Sequence, residues 1–134
     1  MGKPITTNSG GICFAFPNVC LTQVGMATVP IPYPSIGQLA DATSTAATVK
    51  AGGSQVMTKA SRIPTTSGDS AGQAGVQSGT VSGPVAFKTA SGTVFAGGDA
   101  VVRMFDQTDQ NMAGSVANCV GVVLGGFPQV LVGD

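Results

Sequence analysis

The alternating prolines in Val29-Pro30-Ile31-Pro32-Tyr33-Pro34 constrain the backbone of this chain more than any other feature. Proline fixes φ at about −65°, removes the backbone N–H and pushes the preceding residue toward an extended conformation. Three prolines at every second position therefore predict a stiff, extended segment that has too few donors to lie inside a sheet ladder. The pattern favours a rigid edge segment or a linker.

A second feature is an internal repeat with an offset of 45 residues. Its copies are residues 48–57 and 93–102, in which Thr, Val, Ala, Gly, Gly and Val recur in register. Extended runs flank Gly52-Gly53 and Gly97-Gly98, and such glycine pairs are typical of tight hairpin turns. The repeat predicts two similar hairpins. A third copy is not evident, although residues 127–134 match one of its strands weakly.

The rest of the chain predicts further short elements. Apolar and polar residues alternate after Pro84, which predicts a half-buried strand. Residues 64–75 are small and polar, so we expect an exposed, ordered loop with a short helical turn near Asp69. Residues 35–42 predict one or two helical turns, and two apolar runs around Gly125-Gly126 predict a final hairpin.

Composition favours one mainly β domain over residues 1–134. Twenty Gly and eight Pro suit many turns and few helices, while the scarcity of aromatic residues, at 5%, leaves Val, Ala, Ile and Thr to fill the core. Only 9% of the residues are charged. The sequence therefore predicts a small fold of short strands and hairpins.

The charge pattern excludes some functions and leaves others open. A net charge of zero argues against a nucleic-acid partner, which requires a basic face. Residues 4–40 and 110–133 carry no charge, which fits either a large partner interface or a well-buried core. The first residues lack the apolar region of a secretory signal, so we expect synthesis in the cytoplasm and export by another machine.

Catalytic groups are scarce. The chain has no His and no Glu, so neither an imidazole base nor a Ser-His-Asp arrangement can form, and no phosphate loop is present. Asp106 and Asp109 could bind a hard cation, but a solvated turn is the favoured interpretation. We expect no catalytic residue and no enzyme activity.

Several separated motifs, over positions 14 to 120, together resemble the PAAR-like proteins that carry a PIPY signature. The matching segments are Pro17-Asn18-Val19-Cys20-Leu21-Thr22, residues 29–36, residues 49–57, residues 67–72 and Val101-Val102-Arg103. The signature residues would be Cys20, Pro30, Ile31, Pro32, Tyr33, Pro34, Gly52, Gly53, Gly97 and Gly98. The resemblance implies a small conical β-domain with a pseudo-threefold base that caps the trimeric spike of a contractile injection apparatus.

The same resemblance implies a zinc ion, because typical PAAR tips hold one near the apex with His and Cys ligands. Here no His is present, and Cys13, Cys20 and Cys119 fall short of the four protein ligands of a structural zinc site. We therefore expect no cofactor and no metal ligands, and three buried structural thiols rather than a disulfide framework.

Three functions remain to be weighed. The favoured one is a structural spike tip, with one copy on each spike trimer, ejected or secreted through the particle and in transient contact with the target membrane. A second is an adaptor that binds and delivers a toxin effector as cargo. The third is an unrelated all-β binding module.

Overall fold

The computed structural model describes residues 2–133, and strands account for most of its regular structure. In chain order these are β1 (Lys3–Ile5), β2 (Ile12–Val24), β3 (Ala27–Gln38), β4 (Lys50–Ala51), β5 (Ser54–Gln55), β6 (Arg62–Ile63), β7 (Ala74–Gly75), β8 (Val85–Phe87), β9 (Phe95–Ala96), β10 (Asp99–Ala100), β11 (Gln107–Gln110), β12 (Cys119–Leu124) and β13 (Phe127–Val132). Within residues 2–133 the one helical element is a 3₁₀ turn at Leu39–Asp41. The prediction of a mainly β fold is confirmed.

Seven strands form the main sheet, in which neighbouring strands are antiparallel. Its order is β3-β2-β12-β11-β8-β6, and β7 pairs with the distal half of β2. One buried cluster packs beneath it: Cys13, Leu39, Met57, Ile63, Val85, Phe87, Val102 and Val123. The strand expected after Pro84 is β8, but all three of its residues are buried because it lies between β6 and β11. It is therefore a central strand rather than a half-buried one.

β2 and β3 form a hairpin much longer than the short strands predicted from composition. Their register runs from Ile12 opposite Gln38 to Val24 opposite Ala27, with an irregularity between Ala15 and Asn18. A strand of this length extends about 40 Å, since each residue adds about 3.3 Å.

The alternating prolines lie in β3, at the edge of the main sheet. Ile36 exchanges backbone hydrogen bonds with Ser67, on the side of β3 away from β2. Pro30, Pro32 and Pro34 lie an even number of residues from Ile36 along the strand. Their nitrogens therefore face the same outer edge, where no N–H is needed. The predicted edge position is confirmed, but the expectation that the segment could not lie in a sheet ladder is wrong, because the residues between the prolines pair with β2. The same geometry removes donors that a stray strand could use.

The predicted C-terminal hairpin is wrong. β12 and β13 both form, but β12 pairs with β2 and β11, whereas β13 pairs with β1. Gly125 and Gly126 provide close backbone packing instead of a tight turn. A Cβ atom at Gly125 would lie 2.8 Å from Leu39 Cδ1, and one at Gly126 would lie 2.7 Å from Pro4 Cβ. The chain therefore crosses from one sheet to the other at this point.

Two smaller predictions also need correction. Residues 35–38 belong to β3, so only Leu39–Asp41 is helical, with the Ala42 N–H donating to the Leu39 carbonyl at 3.2 Å. The loop at residues 64–75 is ordered, but Asp69 is fully buried and is followed by a turn rather than by a helix. No helix among residues 2–133 is long and apolar enough to span a membrane.

Candidate docking face

The two hairpins predicted from the repeat are confirmed. β4 pairs with β5 and β9 pairs with β10, each in antiparallel register across a Gly-Gly turn. Gly52, Gly53, Gly97 and Gly98 have φ values between 60° and 89°, a backbone region that glycine enters without a steric penalty. The glycine pairs therefore set the geometry of both turns.

A third strand pair resembles these two hairpins and is made by β1 and β13, from opposite ends of the sequence, with a register shift between Pro4 and Ile5. No turn joins its two strands, but we call it the third hairpin. Pro4 lies opposite Leu131 and Lys3 opposite Val132, as Gln55 lies opposite Lys50 in the first hairpin. In this register Gly133 and Gly2 take the places of a glycine pair. The third copy, which was not evident in the sequence, is thus present, and residues 127–132 supply one of its strands.

Backbone hydrogen bonds connect the three hairpins in a closed ring. Met57 donates its N–H to Thr6 (2.9 Å), Val102 donates to Met57 (3.0 Å), and Thr6 donates to Val102 (3.1 Å). A second ring runs in the opposite direction, with N–H donation from Asn8 to Gln55 at 3.0 Å, from Lys59 to Ala100 at 2.8 Å and from Met104 to Pro4 at 2.8 Å. Within each ring every hairpin therefore donates to one neighbour and accepts from the other, which is pseudo-threefold symmetry within one chain.

The hydrophobic cluster at this end has the same symmetry. Ile5, Val56 and Val101 occupy equivalent positions on β1 and just after β5 and β10. Ala51, Ala96 and Val132 occupy equivalent positions on the other strand of each hairpin. All six are buried, so matched small apolar side chains hold the three hairpins together.

Exposed apolar side chains surround this cluster at a third set of equivalent positions. Val49, Val94 and Val130 have exposed fractions of 37%, 37% and 36%. The next position holds Phe95 and Leu131 in two hairpins, both exposed, and Lys50 in the first. We call these six residues the threefold base. Five of its six side chains are apolar, which is typical of a surface that binds a partner.

The long hairpin carries the chain away from the threefold base. β12 leads into β13 through Gly125-Gly126, so Leu124 lies near the base, and its partner in the main sheet is Ile12 at the start of β2. β2 then runs to Val24, and Met26 in the following turn is fully exposed. Because β11 runs away from the base and β12 returns toward it, their connecting turn at Val116 lies toward the same far end.

Most of the predicted signature residues lie in this long hairpin rather than in the base. Ile31 lies opposite Cys20, and the Tyr33 hydroxyl is 2.7 Å from Thr22 Oγ1. The glycine pairs at 52–53 and 97–98 are the signature residues that the fold brings to the base. The signature therefore divides between the base and the body above it.

A buried polar network, which sequence reasoning missed, lies above the base. Asn18 donates to Asp69 Oδ2 at 2.8 Å, and its Oδ1 accepts from Asn111 (3.1 Å) and from Asn118. Asp69 also accepts from the Ser82 N–H at 3.0 Å. All four Asn and Asp side chains are buried, and among the described residues no buried side-chain nitrogen or oxygen lacks a partner. The network therefore joins β2 to three distant loops and sheet segments at no cost in unsatisfied groups.

The three cysteines are buried free thiols, as predicted. Burial raises the pKa of Cys13 to about 12. Burial also raises the pKa of Cys119 to about 12, against the opposite effect of a hydrogen bond with Ser35. Burial and then the charge of Asp69 raise the pKa of Cys20. All three environments therefore favour the neutral thiol in the metal-free protein.

The donor arrangement does not fit the zinc ion that the resemblance implies. Within residues 2–133 no three or more His, Cys, Asp or Glu side chains are grouped so as to hold a metal ion. We expect elemental analysis of the purified protein to find far less than one zinc per chain, and incubation with a chelator to leave the melting temperature unchanged. One tightly held zinc per chain would contradict this prediction.

The predicted solvated turn at Asp106 and Asp109 is wrong, because Asp109 lies in β11 and Asp106 is buried. Asp106 is 2% exposed and forms an ion pair with Arg103, whose Nη2 lies 2.9 Å from Asp106 Oδ1. Arg103 also donates to the Gly133 carbonyl at 3.3 Å. The pair therefore connects the second hairpin unit to the end of β13, and Asp106 is not available as a cation ligand.

The sequence does contain a short pattern that could have indicated the third hairpin. Val130-Leu131-Val132-Gly133 matches Val49-Lys50-Ala51-Gly52 and Val94-Phe95-Ala96-Gly97, with valine first, a small or β-branched residue third and glycine last. The polar network had no such signal, because Asn18 is separated from its partners Asp69, Asn111 and Asn118 by 51, 93 and 100 residues.

Comparison with known proteins identifies one family. The model of the toxin PAAR-like domain family matches residues 11–118, which is most of the chain. No curated protein and no solved structure matches significantly. The family match removes the alternative of an unrelated β-module. With a family model covering more than half of its length, the chain belongs to the toxin PAAR-like domain family.

Proposed function

We propose that this protein caps and sharpens the trimeric spike of a contractile injection apparatus, with one copy on each spike, and helps the spike to pierce the target envelope. The observation that supports this most strongly is the closed ring of backbone hydrogen bonds through Thr6, Met57 and Val102. A single chain that repeats one docking element three times about an axis can match the three chains of a trimer at once.

The chemistry of the threefold base supports an apolar docking contact. Its valines are equally exposed in the three hairpins, and its one charged member, Lys50, occupies a position that is apolar in the other two. Burying an unpaired charge costs several kcal/mol, so a nearly uncharged face suits burial against a partner. At the far end, the long hairpin with exposed Met26 suits the leading point of a spike.

The test is binding to the purified trimeric spike protein of the same injection particle. We expect a complex of one chain with three spike chains by native mass spectrometry. Val94→Asp should weaken the complex at least tenfold, which is about 1.4 kcal/mol, because the new carboxylate would be buried without a partner. The affinity would be measured by isothermal titration calorimetry.

Val116→Asp is the matched control, because Val116 is similarly exposed but lies in the turn after β11, toward the far end. This variant should bind the spike within about twofold of the wild type, since a surface substitution there leaves the base intact. A complex with three copies of this chain per trimer, or no complex at all, would refute the proposal.

A second candidate function is the delivery of a toxin, and the family to which the chain belongs is described as a toxin PAAR-like domain. PAAR-like domains associate with spike proteins or toxins and are structural rather than enzymatic. The two functions are compatible, because a tip that docks through its base leaves its flanks free. We further propose that the protein is made in the cytoplasm and leaves the cell with the particle.

A further inference from the structure

Three basic side chains converge on one cavity at the β6 edge of the main sheet. Lys59, Arg62 and Lys88 line this open cavity of about 420 Å³, together with Asp109 and the exposed turn residue Ser115. The chain has six Lys and Arg residues in all, so half of its basic side chains meet here. The net charge at the cavity is +2, since three positive groups meet one carboxylate.

The register of three strands explains why these charged groups share a face. Arg62 of β6 lies opposite Ala86 of β8, and Ala86 lies opposite Asp109 of β11. Lys88 follows Ala86 by two residues, and side chains two residues apart in an extended segment point to the same side. Phe87, between them, belongs to the buried cluster on the other face. Ala86 therefore forms the floor of the cavity, and the charged side chains stand around it.

Arg62 is held in place by its own turn. Its Nη1 donates to the backbone carbonyls of Lys59 at 3.0 Å and of Ser61 at 2.8 Å, whereas its Nε and Nη2 donate no hydrogen bond to residues 2–133. Over the same part of the chain, none of Lys59, Arg62 and Lys88 forms an ion pair. A fixed guanidinium with one edge free is preorganised to bind two oxygens of a single oxyanion.

The positive charge does not follow the pseudo-threefold symmetry. The cavity lies in the sector between the first and second hairpins, and backbone pairing identifies the positions equivalent to its three basic residues in the other two sectors. These positions hold Met104, Gln107 and Leu124 in one sector and Asn8, Ile12 and Thr43 in the other. All six residues are uncharged. A contact that is repeated in three sectors, such as one with a symmetric trimer, does not account for this cluster, whereas a ligand bound in one copy does.

Asp109 narrows the choice of anion. An ionised carboxylate accepts hydrogen bonds and cannot donate them, so it repels an oxyanion unless that anion carries a proton of its own. Inorganic phosphate keeps at least one proton at neutral pH, and a phosphate monoester gains one near pH 6, whereas sulfate stays fully deprotonated. The cavity volume lies within the range of roughly 300–1,000 Å³ that is typical of small-ligand sites. The charges and the volume therefore suit a phosphate group that still bears a hydroxyl.

We propose that this cavity binds one phosphate group, either as the free ion or as the phosphate monoester of a lipid headgroup. Lys59, Arg62 and Lys88 bind its oxygens, and Asp109 accepts a hydrogen bond from its hydroxyl. The site is separate from the threefold base and does not depend on the proposed spike docking, so either proposal can fail without the other.

Titration of the purified protein with sodium phosphate at constant ionic strength, followed by amide NMR, tests the proposal. We expect saturable shifts of the Arg62, Lys88 and Ser115 amide signals with a Kd of about 1 mM or tighter, and binding of sulfate at least about tenfold weaker. Asp109→Asn should close most of this gap, because an amide can donate to sulfate. No saturable shift, or equal affinities of the wild type for the two ions, would overturn the proposal.

Charge removal at one lysine separates a local site from a general effect of net charge. Lys88→Gln should lower phosphate affinity at least about tenfold, because a charged hydrogen bond to the anion is lost. Lys3→Gln is the matched control, since it removes the same charge from β1, outside the cavity, and should leave the affinity within about twofold of the wild type. Equal phosphate affinities of the two variants, both with wild-type melting temperatures, would refute the site.

Sedimentation with phosphatidylcholine vesicles, prepared with and without phosphatidic acid, distinguishes the two sources of phosphate. Binding that requires phosphatidic acid and is lost in Lys88→Gln would assign the lipid headgroup. Saturable binding of free phosphate without binding to either kind of vesicle would assign the free ion. In both cases the cavity is a phosphate site.

Discussion

Replacing Asp106 with serine should lower the free energy of unfolding by about 3–5 kcal/mol, since it leaves a buried arginine without its counter-ion. Asp106 Oδ2 accepts from the Arg103 backbone N–H at 2.7 Å and from Nε at 3.1 Å, while Oδ1 accepts from Nη2 and from Thr89. For a domain of this size the melting temperature should fall by about 12–20 °C. Urea unfolding monitored by circular dichroism measures the free energy directly.

The internal repeat supplies the control for this variant. At the equivalent positions of the first unit, Thr58 and Ser61 make the same local bond without charges, with the Thr58 N–H 3.0 Å from Ser61 Oγ. The double variant Arg103→Thr/Asp106→Ser should therefore recover more than half of the loss, because no charge is left unpaired. A double variant no more stable than Asp106→Ser would mean that other contacts of Arg103, such as the one to Gly133, dominate.

The parts of the fold that could be predicted from sequence are those governed by local chain geometry. A Gly-Gly pair between extended runs specifies its own turn, so β4–β5 and β9–β10 follow from a few adjacent residues. Proline at every second position likewise specifies an edge strand, because the missing N–H is a property of the residue itself. These elements required no knowledge of the rest of the molecule.

The parts that could not be predicted depend on partners far apart in the sequence. Phe127–Val132 has the pattern of a hairpin strand, but its partner Lys3–Ile5 is at the opposite end of the sequence, and the nearby β12 was the obvious wrong choice. Residues 110–133, without charge, fitted either a core or an interface. The structure supports both interpretations, since Val123 is buried and Val120 is exposed on the same strand. A strand that is apolar on both faces looks the same in sequence whether its outer face is covered by protein or not.

A second substitution, in the buried polar network, should lower the free energy of unfolding by a similar amount. Asn18→Asp keeps the shape of the side chain but places a carboxylate oxygen where the amide donates to Asp69 Oδ2 at 2.8 Å. Two buried carboxylates at this distance cannot both ionise, so the folded variant must keep a proton that the unfolded chain releases above a pKa of about 3.9. The free energy of unfolding of the variant therefore falls as the pH rises above about 3.9, by about 1.4 kcal/mol per pH unit. At pH 7 this loss amounts to about 4 kcal/mol.

Urea unfolding of wild type and variant at pH 4, 5, 6 and 7 separates this electrostatic cost from a loss of packing. The difference in unfolding free energy should be small at pH 4 and grow steadily toward pH 7, whereas a packing defect would give the same difference at every pH. Gln129→Glu is the control, because it adds the same charge at an exposed position of β13 and should change stability by less than about 0.5 kcal/mol. A pH-independent difference for Asn18→Asp would show that Asn18 and Asp69 are not in contact, and the buried network would then not hold the long hairpin above the threefold base.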